Sequence, residues 1–208
     1  MGWRYDLENK TPQQRAIIMQ RDAEEKSRTE EAKKKAAMQS EKPRNEKIFP
    51  VSLFMKLTTG NSGNFNGIET IRIYNDFCGE HQFVWFSTSI LANGISRKKQ
   101  NQFLEAIRTG FLIEMFFAIG KKGGGNNDIM FNASVVDIQS DKEEIPSPDS
   151  SLTPEVWRNE NRKIWIKMKD IQPFQAISAK DLFIESTGRN LNEVLEKSQY
   201  SFGYVVRK

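Results

Sequence analysis

The sequence is short of the residues on which much protein chemistry runs. Its 208 residues include one cysteine, Cys78, and one histidine, His81. A single thiol excludes an internal disulfide and a cysteine-based zinc cluster, and it fits a reducing compartment. A single imidazole removes two-histidine mechanisms and most metal sites. No run approaches the roughly 18 uninterrupted apolar residues of a transmembrane helix. The opening MGWRYDLENK lacks the basic-then-apolar pattern of a secretory signal. An intracellular location, cytoplasmic or nuclear, and no membrane association follow as expectations. Net charge is small as well, with 31 Lys and Arg against 27 Asp and Glu, or +4.

What is present suffices for one folded domain with an extension. Hydrophobic residues make up 38% and aromatics 11%, enough to bury a core over part of the chain. The charge is unevenly placed. Residues 1–50 hold 12 basic and 9 acidic side chains, while 51–208 hold 19 and 18. Attraction of the globular part for nucleic acid must therefore be local. One basic patch exists: Arg97, Lys98, Lys99, Arg108, Lys121 and Lys122 against Glu105 and Glu114. Residues 137–160 are the reverse, with seven acids against Lys142 and Arg158, and the part from 141 reads as a solvated loop.

The N-terminal segment predicts a solvated helix. Thr11 suits an N-cap, Pro12 the first turn, and Gln14 completes a capping box. Strong helix formers follow to Met38, with Glu and Lys spaced for pairing, as in Glu30–Lys34. Pro43 and Pro50 bracket a change of composition, which sets residues 1–46 as a charged helical extension and 47–208 as the domain.

Within the domain the pattern is that of an α+β fold. Strands are expected at Ile48–Thr58, Glu69–Tyr74 and Gln82–Ser87, with a Gly/Asn loop from Gly60 to Gly67 and a turn over Asn75–Gly79. Ser96 can cap a helix running to Arg108, and Gly110 ends it. Phe111–Ile119 is too apolar for a surface strand and should be central. Ile129–Ile138, Lys163–Lys169 and Tyr204–Arg207 read as further strands, with Ser178 or Ser186 capping short helices that include Asn190–Ser198.

Three candidate sites present themselves. Gly120-Lys121-Lys122-Gly123-Gly124-Gly125 invites a phosphate-loop reading, but it lacks the Gly-Lys-Ser/Thr ending and a following helix. It reads as a flexible hairpin loop with two exposed lysines. Cys78, Glu80 and His81 are close in sequence, but a nucleophile and its base must converge with an orienting group. Proximity on a turn does not supply that, so no catalytic residue is assigned. The tryptophans carry more. Trp85 lies in Phe83-Val84-Trp85-Phe86-Ser87-Thr88, and Trp157 ends a long polar loop. Two facing indoles can sandwich a flat base or a methylated amine.

In order along the chain, these pieces resemble the YTH domain, the N6-methyladenine reader of the PUA-like superfamily, related to the EVE domains. The family's Trp-x-Ser-Thr segment resembles Trp85-Phe86-Ser87-Thr88, with a basic helix after it. Its central strand pair is similar to Phe111–Ile119 and Met130–Val135, and its second Trp to Val156-Trp157. Its Lys-Asp-Val/Ile exit resembles Lys169-Asp170-Ile171, and its Arg-Asp motif Arg189-Asn190. The likeness covers roughly residues 68–198.

The resemblance implies a PUA-like mixed β-sheet barrel of about six strands flanked by helices. It implies a noncatalytic module that binds RNA or DNA carrying N6-methyladenine or a similar modified base, with no cofactor and no metal. Trp85 and Trp157 would wall the cage, Asn75 would meet the base edge, and Phe86 and Ser87 would line the pocket. Arg97, Lys98, Lys99 and Arg189 would hold phosphates, which positions the polymer without reading its sequence. The family's third wall falls at Arg162, so none is assigned. Burying one methyl group contributes about 1 kcal/mol, and its contact with the ring faces at most about as much again, so methyl preference should be about ten- to a hundredfold. The alternative is a PUA-like adaptor without a working cage, acting on a protein partner through the N-terminal helix.

Overall fold

The apolar run that follows Gly110 is the middle strand of a seven-stranded sheet. The computed structural model describes residues 47–59, 65–197 and 200–208. The charged helix expected over 11–38, and most of the Gly/Asn loop, lie outside them. The strands are β1 (Val51–Leu57), β2 (Val84–Thr88), β3 (Ile113–Ile119), β4 (Ile129–Ile145), β5 (Arg162–Pro173), β6 (Leu182–Ile184) and β7 (Phe202–Arg207). The helices are α1 (Gly67–His81), α2 (Arg97–Arg108) and α3 (Leu191–Lys197). Across the sheet the order is β2-β5-β4-β3-β1-β7-β6. Only β1 and β3 run parallel; the other neighbours are antiparallel.

Alternation along the strands divides the core. Leu53 and Met55, with Met115 and Phe117, face one side, where Ile71 and Tyr74 of α1 and Phe103 of α2 cover them. Phe54 and Phe116 face the other, under Leu191, Val194 and Leu195 of α3. Every residue of β3 is buried because both its faces are covered, as a nearly continuous apolar run broken only by Glu114 requires. Replacing Phe117 by Ala at this centre would cost about 3–5 kcal/mol.

Three expectations are corrected. The sheet is open, with seven strands, and not a closed barrel of six. Closure would need β2 to pair with β6, but each pairs on one side only, and β6 is three residues long. Second, Glu69–Tyr74 is not a strand, nor Asn75–Gly79 a turn: both belong to α1. Asn66 caps it through a full capping box, accepting from Glu69 N at 3.0 Å while Glu69 Oε2 accepts from Asn66 N at 2.7 Å. Ile71, Tyr74 and Cys78 are the buried stripe, at helical spacing. Third, the acidic stretch is not a plain solvated loop. Residues 141–145 extend β4, and short helical turns follow at Ser150–Leu152 and Glu155–Trp157.

Other expectations match the fold. Ser96 caps α2 by accepting from Lys99 N, and Gly110 follows that helix with φ +85°. Ser178 caps the turn Ala179–Asp181. The Lys121–Gly123 turn fits tightly against the end of β1. A Cβ at Gly123 would lie 2.9 Å from Leu57 O and 3.2 Å from Gly67 N, so this loop is a packed corner and not the flexible hairpin expected.

Candidate functional site

A cavity of about 470 Å³ opens between the end of β1, α1, the end of β2 and the Glu155–Trp157 turn. The sheet curves enough that β1 and β2, with three strands between them, line the same space. Its volume falls within the ~300–1,000 Å³ typical of small-molecule sites. Aromatic rings form its interior. Tyr74 is buried at the base, and Trp157 lies flat upon it with centroids 4.4 Å apart and planes 8° from parallel. Phe86 is tilted against Tyr74 at 5.1 Å, and Phe65 meets Trp157 edge-on at 6.2 Å.

Local bonding fixes Trp157 there. Thr153 is fully buried, its hydroxyl donating to Asp149 O at 2.9 Å and 2.6 Å from Ser147 Oγ. Asp149 in turn accepts from Ser151 N. The Trp157 and Glu160 N–H groups then close turns onto Pro154 O and Trp157 O. The result is a polar loop held by its own hydrogen bonds, carrying one indole to the cavity.

The polar groups are few. Burial pushes the Tyr74 phenol well above its ordinary pKa, and neighbouring Ser87 pulls the other way. Lys56 stands at the β1 side, its pKa lowered by burial and partly restored by Glu196. Arg162 stands opposite and grips Glu160 through Nε at 3.1 Å and Nη2 at 2.6 Å. The lining thus offers two cations and one carboxylate, together with the Ser87, Thr88 and Ser89 hydroxyls.

Of the five residues expected at a base, the structure brings three together: Trp157, Phe86 and Ser87. Trp85 is not among the cavity residues. Strand alternation turns it away from Phe86, onto the face where cross-strand Lys167 lies, with its ammonium 5.9 Å from the indole. Its indole N–H is buried without a hydrogen-bond partner among the described residues. Asn75 is half-buried on α1 and outside the cavity; one helical step separates it from Tyr74, which is inside. Sequence reasoning missed Tyr74 and Phe65. The stripe Ile71, Tyr74, Cys78 behind the Asn66 and Glu69 cap was the signal for Tyr74.

The phosphate candidates divide differently. Arg97 and Lys98 are exposed on the first turn of α2, and Arg189 is exposed beyond β6. Lys99 is engaged within the fold: it pairs with Glu185 at 2.5 Å and lies 4.9 Å above the Tyr204 ring. Lys121 of the glycine-rich corner pairs with Glu196 at 3.3 Å.

Cys78 and His81 do not form a reactive pair. Burial raises the Cys78 thiol, which donates to Gln82 O at 3.5 Å, whereas His81 is exposed and stacked on Phe77 at 4.0 Å. Among the described residues, no three His, Cys, Asp or Glu side chains group as metal ligands, and no helix is long and apolar enough to cross a membrane. Comparison with protein-family models, with curated proteins and with solved structures finds no match.

Proposed function

We propose that residues 47–208 form a noncatalytic nucleic-acid-binding module whose cavity takes a modified base, with N6-methyladenine as the first candidate. The observation that carries this reading is the Trp157 ring held parallel on Tyr74 at the cavity. A platform ordered before binding spares the ligand the cost of immobilising it. Base–aromatic stacking on such a ring contributes about 1–3 kcal/mol. Phe65 supplies apolar surface for a methyl group, and the hydroxyls from Ser87 to Ser89 offer donors and acceptors to a base edge. Lys56 and Arg162 suit a phosphate on either side, with Glu160 tempering their charge. In this site Trp157 is the stacking platform, Tyr74 and Phe86 are the buried rings that support it, and Trp85 is structural.

The experiment titrates adenine-containing oligonucleotides, methylated or unmethylated at N6, as RNA and as DNA at fixed salt. A methyl preference of about tenfold or more that Trp157→Ala abolishes, with the melting transition retained, is the expected result. Equal weak binding to all four would overturn the reading and leave the adaptor, whose partner then has to be sought among proteins.

A further inference from the structure

Among the described residues three large hydrophobic side chains are exposed: Ile48, Ile90 and Val156. Aliphatic residues exposed singly are ordinary. Ile90 differs in its position and in its support. It is 51% exposed and lines the cavity just beyond the end of β2. Val156, 49% exposed, immediately precedes Trp157.

The loop presenting Ile90 is braced on both sides. Ser89 Oγ donates to Glu144 Oε1 at 2.8 Å and accepts from Lys163 N at 3.1 Å. Lys163 Nζ donates to Ala92 O at 2.6 Å, and Ile95 N to Ser140 Oγ at 2.8 Å. Gly94 turns the chain at φ +64° against the Asp141 carbonyl, where a Cβ would stand only 2.5 Å away. A β-branched side chain with few rotamers is thus fixed at the lip of an aromatic cavity.

Resting on the base-binding reading above, we infer that the cavity takes its base from duplex DNA, and that Ile90 is the wedge which enters the stack as the nucleotide swings out. A splayed base in a single strand leaves nothing to fill. A base in a duplex must be unstacked and unpaired, at a cost of a few kcal/mol, and apolar side chains of this kind are the groups that occupy the opened step. The same loop runs on to Ser96 and Arg97, which line a groove with Asn93, Lys142 and Asp141. Arg97 and Lys142 there suit the phosphates of the strand that remains stacked.

The test uses the full chain and four probes carrying N6-methyladenine: single-stranded DNA, single-stranded RNA, duplex DNA, and duplex DNA with an abasic site opposite the target. Wild-type protein should prefer the duplexes to both single strands. Ile90→Ser should weaken the paired duplex about tenfold or more, leave single strands within about twofold, and recover on the abasic duplex, where no partner base has to be displaced. Ile90→Leu should restore paired-duplex binding. Equal loss on duplex and single strand, no loss on the duplex, or tighter binding of single-stranded RNA would each overturn the wedge while leaving the base-binding reading intact. Absence of methyl-dependent binding to all four would overturn both.

Discussion

Among the described residues Glu114 is the one charged side chain that ranks as buried, and it stands on the central strand. Burial raises its pKa, and Arg207, which donates to it, pulls the other way. Arg207→Ala would leave that carboxyl without its partner. The loss should be about 1–3 kcal/mol, below the ~3–5 kcal/mol of a fully buried pair, because Arg207 is 40% exposed and water screens it. Urea denaturation measures it. The pH dependence has a definite sign. A carboxyl raised in the fold binds its proton more tightly folded than unfolded. Its stabilising contribution is therefore full below the unfolded pKa and lost as pH rises through the folded one. Relative to Glu114→Gln, wild-type stability should fall over that window, and a rise would refute the assignment. Trp85 gives a second residue-scale expectation. Trp85→Phe deletes a buried indole N–H that has no described partner, so stability should change by less than about 1 kcal/mol. Binding of a methylated oligonucleotide should not change, whereas a cage wall would lose it.

At the scale of elements, α1 decides whether the cavity exists, since it carries Tyr74 beneath Trp157. Asn66→Ala removes the side-chain arm of its capping box, the bond from Glu69 N to Asn66 Oδ1, and should cost about 0.5–2 kcal/mol in a thermal melt. Cys78, buried on the same helix with a raised pKa, should react with a thiol reagent at least about tenfold more slowly in the native protein than in urea. α1 was also the element least legible in the sequence. Ile71-Arg72-Ile73-Tyr74 alternates like a strand over four residues, and Asn75-Asp76 and Gly79 look like a turn. The helical stripe emerges only over the longer span from Asn66 to Cys78. β3 was legible as a nearly continuous apolar run and α2 by its helical period, with a clear stop at Gly110 between them. β6 was not, at three residues. For the candidate site, a tryptophan at the end of a polar loop singled out Trp157, which lines the cavity. The choice between Trp85 and Phe86 could not be read locally, because a one-residue difference in facing reverses every side chain of a strand.

For the whole molecule, the modest charge of residues 51–208 means that the proposed nucleic-acid binding would rest on a few local cations rather than a general field. Lys56 and Arg162 at the cavity and Arg97 and Lys98 on α2 are spread over separate elements. About four phosphate contacts on duplex DNA would give a slope of log affinity against log salt near −3.6, at ~0.9 per contact. Arg97→Gln should make the slope shallower by about one unit and leave methyl preference untouched. An unchanged slope would remove Arg97 from the interface.

The openness of the sheet has a consequence for self-association. Its two edges are β2 and β6, and an edge presents unpaired main-chain groups on which another chain can add. These edges are five and three residues long, and short edges are poor templates for such addition. Light scattering of concentrated protein should therefore stay flat over time, and steady growth of large species would mark one of these two strands as a place where chains recruit each other.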